Sequence, residues 1–343
     1  MNIYIPVLGM TNHGGVRVLV QLANQASKMG HNVIFLAPKG KVHYVFELNS
    51  NILVNEVGLD LKSKILSWLC FIFVCPFYIK NGIVIANHFV TYFIAFFSWK
   101  KDKFIYLVQG LEFKCYSGIL GFIAKIMCYI SYKSKFVFAA NKYLFEELRG
   151  YGNPIGFLNL GISNLFINKY LNKNKKYDFI YFLRNEKYKR KDRFDRLLSD
   201  FDAIGISFVC VSQDECLLDE YKNKGLTCYQ PQNDNELIEV IDQCKLMLLT
   251  SEHEGFALPP LECMARGVVP IMYECGGPSN YAINNYNSII VSPDDDKLII
   301  SSLNLLINDE ILLHKMSNNA LKTSKNYDFD SELENFINTY LIQ

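Results

Sequence analysis

The sequence has no C-x-x-C pair and no recurring metal-ligand spacing among its 10 cysteines, which removes the common structural zinc frameworks. It has no excess of either charge. Lys and Arg number 35 against 34 Asp and Glu, a net charge of +1, so no overall basic field points to nucleic acid as a partner. It has no G-x-G-x-x-G turn, because the glycine loop after the first strand pattern reads NHGGVR at 12–17, and this excludes a nicotinamide dehydrogenase. No basic segment precedes the apolar start MNIYIPVLGM, which is expected to form a strand and not a signal peptide. Uncharged runs able to span hydrocarbon are also wanting: residues 65–79 fall short of the roughly 20 needed and include Pro76, and residues 81–99 hold Asn87 and His88 near their centre. Most cysteines lie inside apolar runs, where they act as small hydrophobes and suit a reducing cytoplasm.

What is present is core-forming material. Hydrophobic residues make up 50% of the chain and charged residues 20%, the composition of a packed protein. At 343 residues the chain exceeds the roughly 250–300 at which one core stops growing, so two domains are expected. NIYIPVL reads as a buried strand, VRVLVQLANQASKMG as an amphipathic helix stopped by Gly30, and NVIFLAP as the next strand, a βαβ unit with a parallel sheet. GIVIANH, KFIYLVQ and SKFVFAAN continue the pattern. A polar Lys/Asn-rich stretch at 167–177 reads as a linker. The alternation then restarts with YDFIYFL, ISFVCVS, LTCYQ, the helix NDNELIEVIDQC, KLMLLTS and VVPIMYE. The expected fold class is α/β, with two Rossmann-like domains whose strand carboxyl ends face a cleft.

Two readings stay open for residues 65–99: buried helix and strand of the first domain, or partial insertion at a membrane surface. Lys100, Lys101, Lys103, Lys125, Lys133 and Lys135 interleave with aromatics nearby and would attract anionic headgroups, though solvated lysines have the same pattern.

The most informative stretch is SEHEGFALPPLECMARG at 251–267. KLMLLTS ends at Ser251, so Glu254 lies just past a strand's carboxyl end, where ligand sites of α/β folds form. Pro259 and Pro260 suit a helix's first turn, Gly267 its stop, and Glu262 falls in the opening turns. The helix start favours an anion, and two carboxylates flanking it would accept bonds from hydroxyls, the layout of a nucleotide diphosphate sugar.

This stretch resembles the E-x7-E segment of family 4 of the retaining GT-B glycosyltransferases. The likeness extends along the chain. NHGGVR is similar to that family's glycine loop, NLGISNLF to its interdomain crossing, FLRNEKYKRK to its diphosphate clamp and NYDFDSELENFINTYL to the C-terminal helix that crosses back. The resemblance implies an acceptor domain over 1–166, a donor domain over 167–325 and a crossing helix over 326–343. It implies that Glu254 meets donor-sugar hydroxyls and Glu262 the ribose hydroxyls, with Gly255, Phe256, Ala257 and Leu258 against sugar and phosphate.

Arg184 and Lys189 are expected to neutralise the leaving diphosphate in place of a metal, with Lys187 or Lys191 as substitutes if the register slips; KYKRKDR would also fit a solvated helix face. No metal or other cofactor is expected, and the run Asp294–Asp296 is read as a surface turn. Gly14 and Gly15 would let backbone approach a diphosphate, with Arg17 close behind. His88 resembles the family's active-site histidine, and His13, Gln109 and Glu112 occupy similar strand ends on the acceptor side. Asn280 stands where the family commonly has Glu, Ser288 where Gly is usual, and the arginine strand lacks its usual glycine, which puts donor identity in question more than activity. The expected function is sugar transfer, with retention, from a nucleotide diphosphate sugar to a glycan or lipid-linked acceptor at the inner face of the cell membrane. A nucleotide-sugar epimerase and an inactive GT-B partner subunit are the alternatives.

Overall fold

β-branched and aromatic runs alternating with 3.6-period segments build parallel sheets covered by helices. The computed structural model of the chain describes residues 1–11, 14–43, 47–61, 64–167 and 175–341. The chain divides into two compact units, residues 1–160 with 330–343 and residues 161–329.

In the first unit the strands are β1 (Asn2–Pro6), β2 (Asn32–Pro38), β3 (Leu53–Val57), β4 (Ile83–Ala86), β5 (Lys103–Val108), β6 (Val137–Ala139) and β7 (Gly156–Phe157). They lie in the order β3-β2-β1-β4-β5-β6-β7 with every neighbouring pair parallel. The helices are α1 (Gly14–Lys28), α2 (Lys64–Tyr78), α3 (Phe89–Phe97), α4 (Gly118–Tyr132) and α5 (Lys142–Leu148). The chain runs outward from β1 to β3 and then returns to place β4 on the other side of β1, so the strand order reverses between β1 and β4. Ligand crevices of open α/β sheets lie at such a reversal, beyond the carboxyl ends of the strands.

The second unit repeats the plan with β8 (Tyr177–Phe182), β9 (Phe208–Val211), β10 (Cys228–Tyr229), β11 (Cys244–Leu249), β12 (Val269–Tyr273) and β13 (Ile289–Val291) in the order β10-β9-β8-β11-β12-β13. Its helices are α6 (Lys191–Ala203), α7 (Glu215–Asn223), α8 (Asp234–Asp242), α9 (Leu258–Ala265), α10 (Asp296–Asn308) and α11 (Glu310–Ser324). The reversal here lies between β8 and β11. Phe179, Phe194, Phe201 and Leu248 are among the fully buried residues of its core, and Tyr181 stacks on Phe194 with ring centroids 3.8 Å apart.

The chain changes units at residues 160/161 and 329/330, where the sequence placed its boundaries at 166/167 and 325/326. The cause is a close backbone approach. Ile162 N–H donates to the Tyr327 carbonyl at 2.9 Å and Phe329 N–H donates back to Ile162 at 3.2 Å, while a Cβ on Gly161 would meet the Tyr327 oxygen at 2.3 Å. Most of the expected linker lies outside the described residues, at 168–174. The last helix, α12 (Phe329–Phe336), continues as a wider turn over Ile337–Leu341 and packs within the first unit: Phe336 and Tyr340 lie 5.2 and 4.6 Å from the Phe138 ring, and Lys103 Nζ donates to the Tyr340 carbonyl at 2.8 Å.

Candidate functional site

After β8 the chain passes through Leu183 to Arg184, makes one 3-10 turn over Lys187–Lys189, and enters α6 through Arg190, whose backbone is left-handed at φ 52°. Two hydrogen bonds tie this loop to the end of β11. Thr250 Oγ1 donates to the Lys189 carbonyl at 2.9 Å, and Glu252 N–H donates to the Tyr188 carbonyl at 2.8 Å. Lys189 Nζ therefore reaches Glu254 Oε1 at 2.7 Å, and Ser251 Oγ donates to the same oxygen at 2.6 Å. Glu254 is buried at 7% exposure, so the pair is shielded from much of the screening that weakens surface ion pairs.

Of the lysines in this loop, it is Lys189 that meets Glu254. Lys191 instead bonds Glu220 at 3.2 Å, and Lys187 is exposed. Arg184 is half-buried and makes no ion pair among the described residues.

The main chain of Glu254 is held as firmly as its side chain. Its N–H donates to the Cys275 carbonyl at 2.8 Å and its carbonyl accepts from Gly277 N–H at 2.9 Å. A Cβ on Gly277 would lie 2.5 Å from Gly255 C and Phe256 N, so this approach demands glycine. Ala257 adopts φ 63° and ψ 90°, a conformation costly for a residue with a Cβ. The Tyr281 hydroxyl holds it, donating to the Ala257 carbonyl at 2.5 Å and lying 3.2 Å from that of Phe256.

Helix α9 starts immediately afterwards. Proline at 259 and 260 takes amides out of its first turn, which leaves Leu258 and the residues before it as the donors at this helix start. Glu262 is buried in the next turn. Both acids bear on Tyr281: burial raises its phenol well above the usual value, and the charges of Cys275, Glu254, Cys263 and Glu262 push it further.

Sequence reasoning missed Arg193, the largest fully buried side chain at 2% exposure. Its Nη1 donates to the carbonyls of Thr250 at 3.0 Å and Ser251 at 3.4 Å, its Nε bonds Asp294 at 2.9 Å, and the guanidinium lies 4.7 Å from the Tyr273 ring. Asp294, in the expected surface turn, is thereby tied to the end of β11. Arg193 sits among charged neighbours in KDRFDR, a pattern indistinguishable from a solvated face, so no sequence signal marks it. Asp-x-Asp spacings occur at Asp200–Asp202, Asp294–Asp296 and Asp328–Asp330. Among the described residues no group of three or more His, Cys, Asp or Glu could hold a metal ion.

In the first unit Gly14 and Gly15 are the opening residues of α1, with Arg17 in the same turn; His13 lies outside the described residues. Gln109, beyond β5, donates to the Gly15 carbonyl at 3.2 Å, and its Oε1 sits 2.6 Å from where a Gly15 Cβ would be. His88 caps α3: its Nδ1 accepts from Val90 N–H at 3.2 Å, which leaves the proton of the neutral ring on Nε2, 3.3 Å from the Tyr116 hydroxyl. Burial lowers the His88 pKa to about 4, so the ring is neutral at pH 7.

Glu112 lies beneath this cap and not on a free surface. Its carboxyl accepts from Phe89 N–H at 3.1 Å and from the Tyr106 hydroxyl at 2.7 Å, and Cys128 Sγ lies 3.6 Å away. Burial raises its pKa to about 8, against hydrogen bonds that pull the other way.

Residues 164–323 match the family described as Glycosyl transferases group 1. A stretch of 125 residues is 25% identical to the N,N'-diacetylbacillosaminyl-diphospho-undecaprenol alpha-1,3-N-acetylgalactosaminyltransferase of Campylobacter jejuni, covering 36% of this chain and 33% of that protein. The match thus spans about a third of the relative's length. Among solved structures, the sucrose-phosphate synthase of Thermosynechococcus elongatus superposes with a TM-score of 0.79 at 12% identity, covering 99% of this chain and 98% of that one. HepE of Anabaena, solved with UDP and glucose, superposes with a TM-score of 0.75 at 13% identity, covering 98% of each chain. The chain has the GT-B fold, and its residues 164–323 are similar to the glycosyl transferases group 1.

Proposed function

We propose that the chain transfers a sugar from a nucleotide diphosphate sugar to a glycan or lipid-linked acceptor, with retention at the anomeric carbon. The observation that carries the reading is the junction at the ends of β8 and β11, where Lys189 meets buried Glu254 at 2.7 Å beside the start of α9. A diphosphate at Arg184 and Lys189 would bring the donor sugar's hydroxyls to Glu254, and the amides from Gly255 to Leu258 would face the same group. Glu262 would take the ribose hydroxyls. The family match over residues 164–323 adds to this, as do the relatives: the Campylobacter protein's name gives a diphospho-undecaprenol acceptor, and HepE holds UDP with glucose.

The step needs no covalent enzyme intermediate. The bond from the anomeric carbon to the diphosphate breaks, the acceptor oxygen bonds that carbon from the same face, and the acceptor's proton passes to the leaving phosphate oxygen. Arg184 and Lys189 supply the positive charge the leaving group requires, so no metal or cofactor is assigned a role. In the first unit, neutral His88 would donate a hydrogen bond and not a proton, with His13, Arg17 and Gln109 on the acceptor side, while buried Glu112, expected there from the sequence, would only support the His88 cap. Work on a lipid-linked acceptor would place the protein at the inner face of the cell membrane.

The two acids provide the test. Glu254→Gln should lower kcat by roughly 10²-fold with little change in donor KM, because the charge matters where the anomeric carbon becomes positive. Glu262→Gln should mainly raise donor KM and weaken binding of the free nucleotide diphosphate, since charge-assisted bonds of about 1.5–3 kcal/mol are lost. Titration calorimetry and initial rates with a nucleotide-sugar panel read both. Two silent variants would defeat the reading, and an exchange of the two effects would reverse the roles.

A further inference from the structure

Helices α2 and α4 and the end of α3 turn large apolar side chains outward. From α2 the buried residues among those described are Ser67, Phe71 and Cys75, while Leu66, Leu69, Phe73 and Phe77 are exposed. α4 buries Ala124, Cys128, Ser131 and Tyr132 and turns outward Ile119, Leu120, Phe122, Ile123, Ile126 and Ile130. Phe71 and Tyr132 apart, the buried residues on these two helices are small and the outward ones large and apolar, unlike a helix resting on a water-soluble core. The exposures are high: 71% at Phe73, 70% at Trp99, 81% at Ile119 and 67% at Phe122. α2 packs on α3 and α3 on α4, and the Phe77 and Trp99 rings meet edge to face at 5.1 Å, so these side chains form neighbouring parts of one surface and not scattered singles.

Charge on the same segments has one sign. Between Asp60 and Asp102 there is no acid and there are five lysines; between Glu112 and Glu146 there is again no acid against five lysines. Lys125 and Lys133 flank a groove of about 400 Å³ on α4, lined also by Phe122, Ile126, Tyr129 and Ile130. They lie two turns apart, about 12 Å along the helix. No described helix is long and apolar enough to cross a membrane, so the surface suits contact with a bilayer's interface. Lysines of one sign beside exposed apolar side chains match the anionic headgroups and acyl chains of such an interface.

We propose that the α2–α3–α4 face seats on an anionic lipid bilayer, its apolar side chains among the acyl chains and its lysines against headgroup phosphates. Tyr116, exposed and bonded to His88, stands next to the Ser117 cap of α4 at the edge of this face. The proposal rests on the surface and not on sugar transfer, and its test needs neither donor nor acceptor.

Co-sedimentation of the full chain with vesicles of phosphatidylcholine and phosphatidylglycerol in equal parts is expected to show binding that weakens steeply with salt, and much weaker binding to phosphatidylcholine alone. Ile119→Ser with Leu120→Ser and Phe122→Ser should lower the partition coefficient at least about 30-fold. Lys125→Glu with Lys133→Glu should lower it at least about fivefold per site at low salt. Both variants alter exposed side chains, and an unchanged thermal melt checks their folding. If the triple variant misfolds, the charge variant decides by itself. Absence of vesicle binding, equal binding to both lipids, or a wild-type dimer that the triple variant dissociates, meaning a second copy covers the face, would each overturn the proposal.

Discussion

At the carboxyl ends of β8 and β11 opposite charges meet, Lys189 against Glu254 at 2.7 Å with Ser251 on the same oxygen. At the corresponding reversal of the other sheet the titratable groups are held neutral. His88 is lowered to about 4 and Glu112 raised to about 8, burial being the first cause of each. Both places are shielded from water, but one supplies a counter-charge and the other only neutral donors and rings. Shielding with a partner sustains charge and shielding without one removes it. Under the proposed function this assigns the anionic leaving group to the second unit and leaves the neutral groups at His88 and Glu112 to the first.

The comparison can be broken at several points. The largest effect is expected at the clamp: Arg184→Ala and Lys189→Ala should each lower kcat by about 10²-fold or more with the fold intact, and EDTA should change little. Full activity of the double variant would remove charge from the account. Arg193→Met should act on structure first. The loss of its bonds to two buried carbonyls should cost about 3 kcal/mol in urea unfolding, and Arg193→Lys should recover part of it. Unchanged stability would mean that the end of β11 is held without it.

The smallest effect concerns the neutral side. Folding raises the Glu112 pKa from 4.5 to about 8, so the folded state takes up a proton between those values. The contribution of Glu112 to stability is therefore full below about 4.5 and declines as pH rises through about 8. Glu112→Gln mimics the protonated form, and its Tm relative to wild type should rise by a few degrees between pH 6 and about 9. His88 has the opposite sign: lowered from 6.5 to about 4, its contribution is full above 6.5 and lost as pH falls through about 4. A flat difference between variant and wild type from pH 4.5 to about 8 would place the Glu112 carboxylate in an ionised state at neutral pH.

Much of this was legible in advance, unevenly. β8 and β11 are long apolar runs ending in polar residues, so Glu254 and Lys189 could be placed at strand ends from the pattern. β3, β7 and β13 were not read. β3 is mostly exposed, and the other two are edge pieces of two and three residues, too short to show a period. The open question over residues 65–99 divides by element: β4 is buried throughout, whereas α2 and the end of α3 face outward. An apolar helix carries the same residue types in either place, so composition could not separate them. Ala257 gave no sign of its positive φ, because the strain is sustained by Tyr281, 24 residues away.

The sequence by itself determined the α/β alternation, the near-neutral charge, and the candidate acids and cations, since these follow from local periodicity and from residues whose chemistry goes with them wherever they are placed. Only the tertiary structure decided which lysine meets Glu254, why Gly277 admits no side chain, that Arg193 is core, and which face of α4 is left to solvent. Those are matters of which surfaces meet. A contact between residues 65 positions apart depends on how β8 and β11 pair, and no local pattern encodes that.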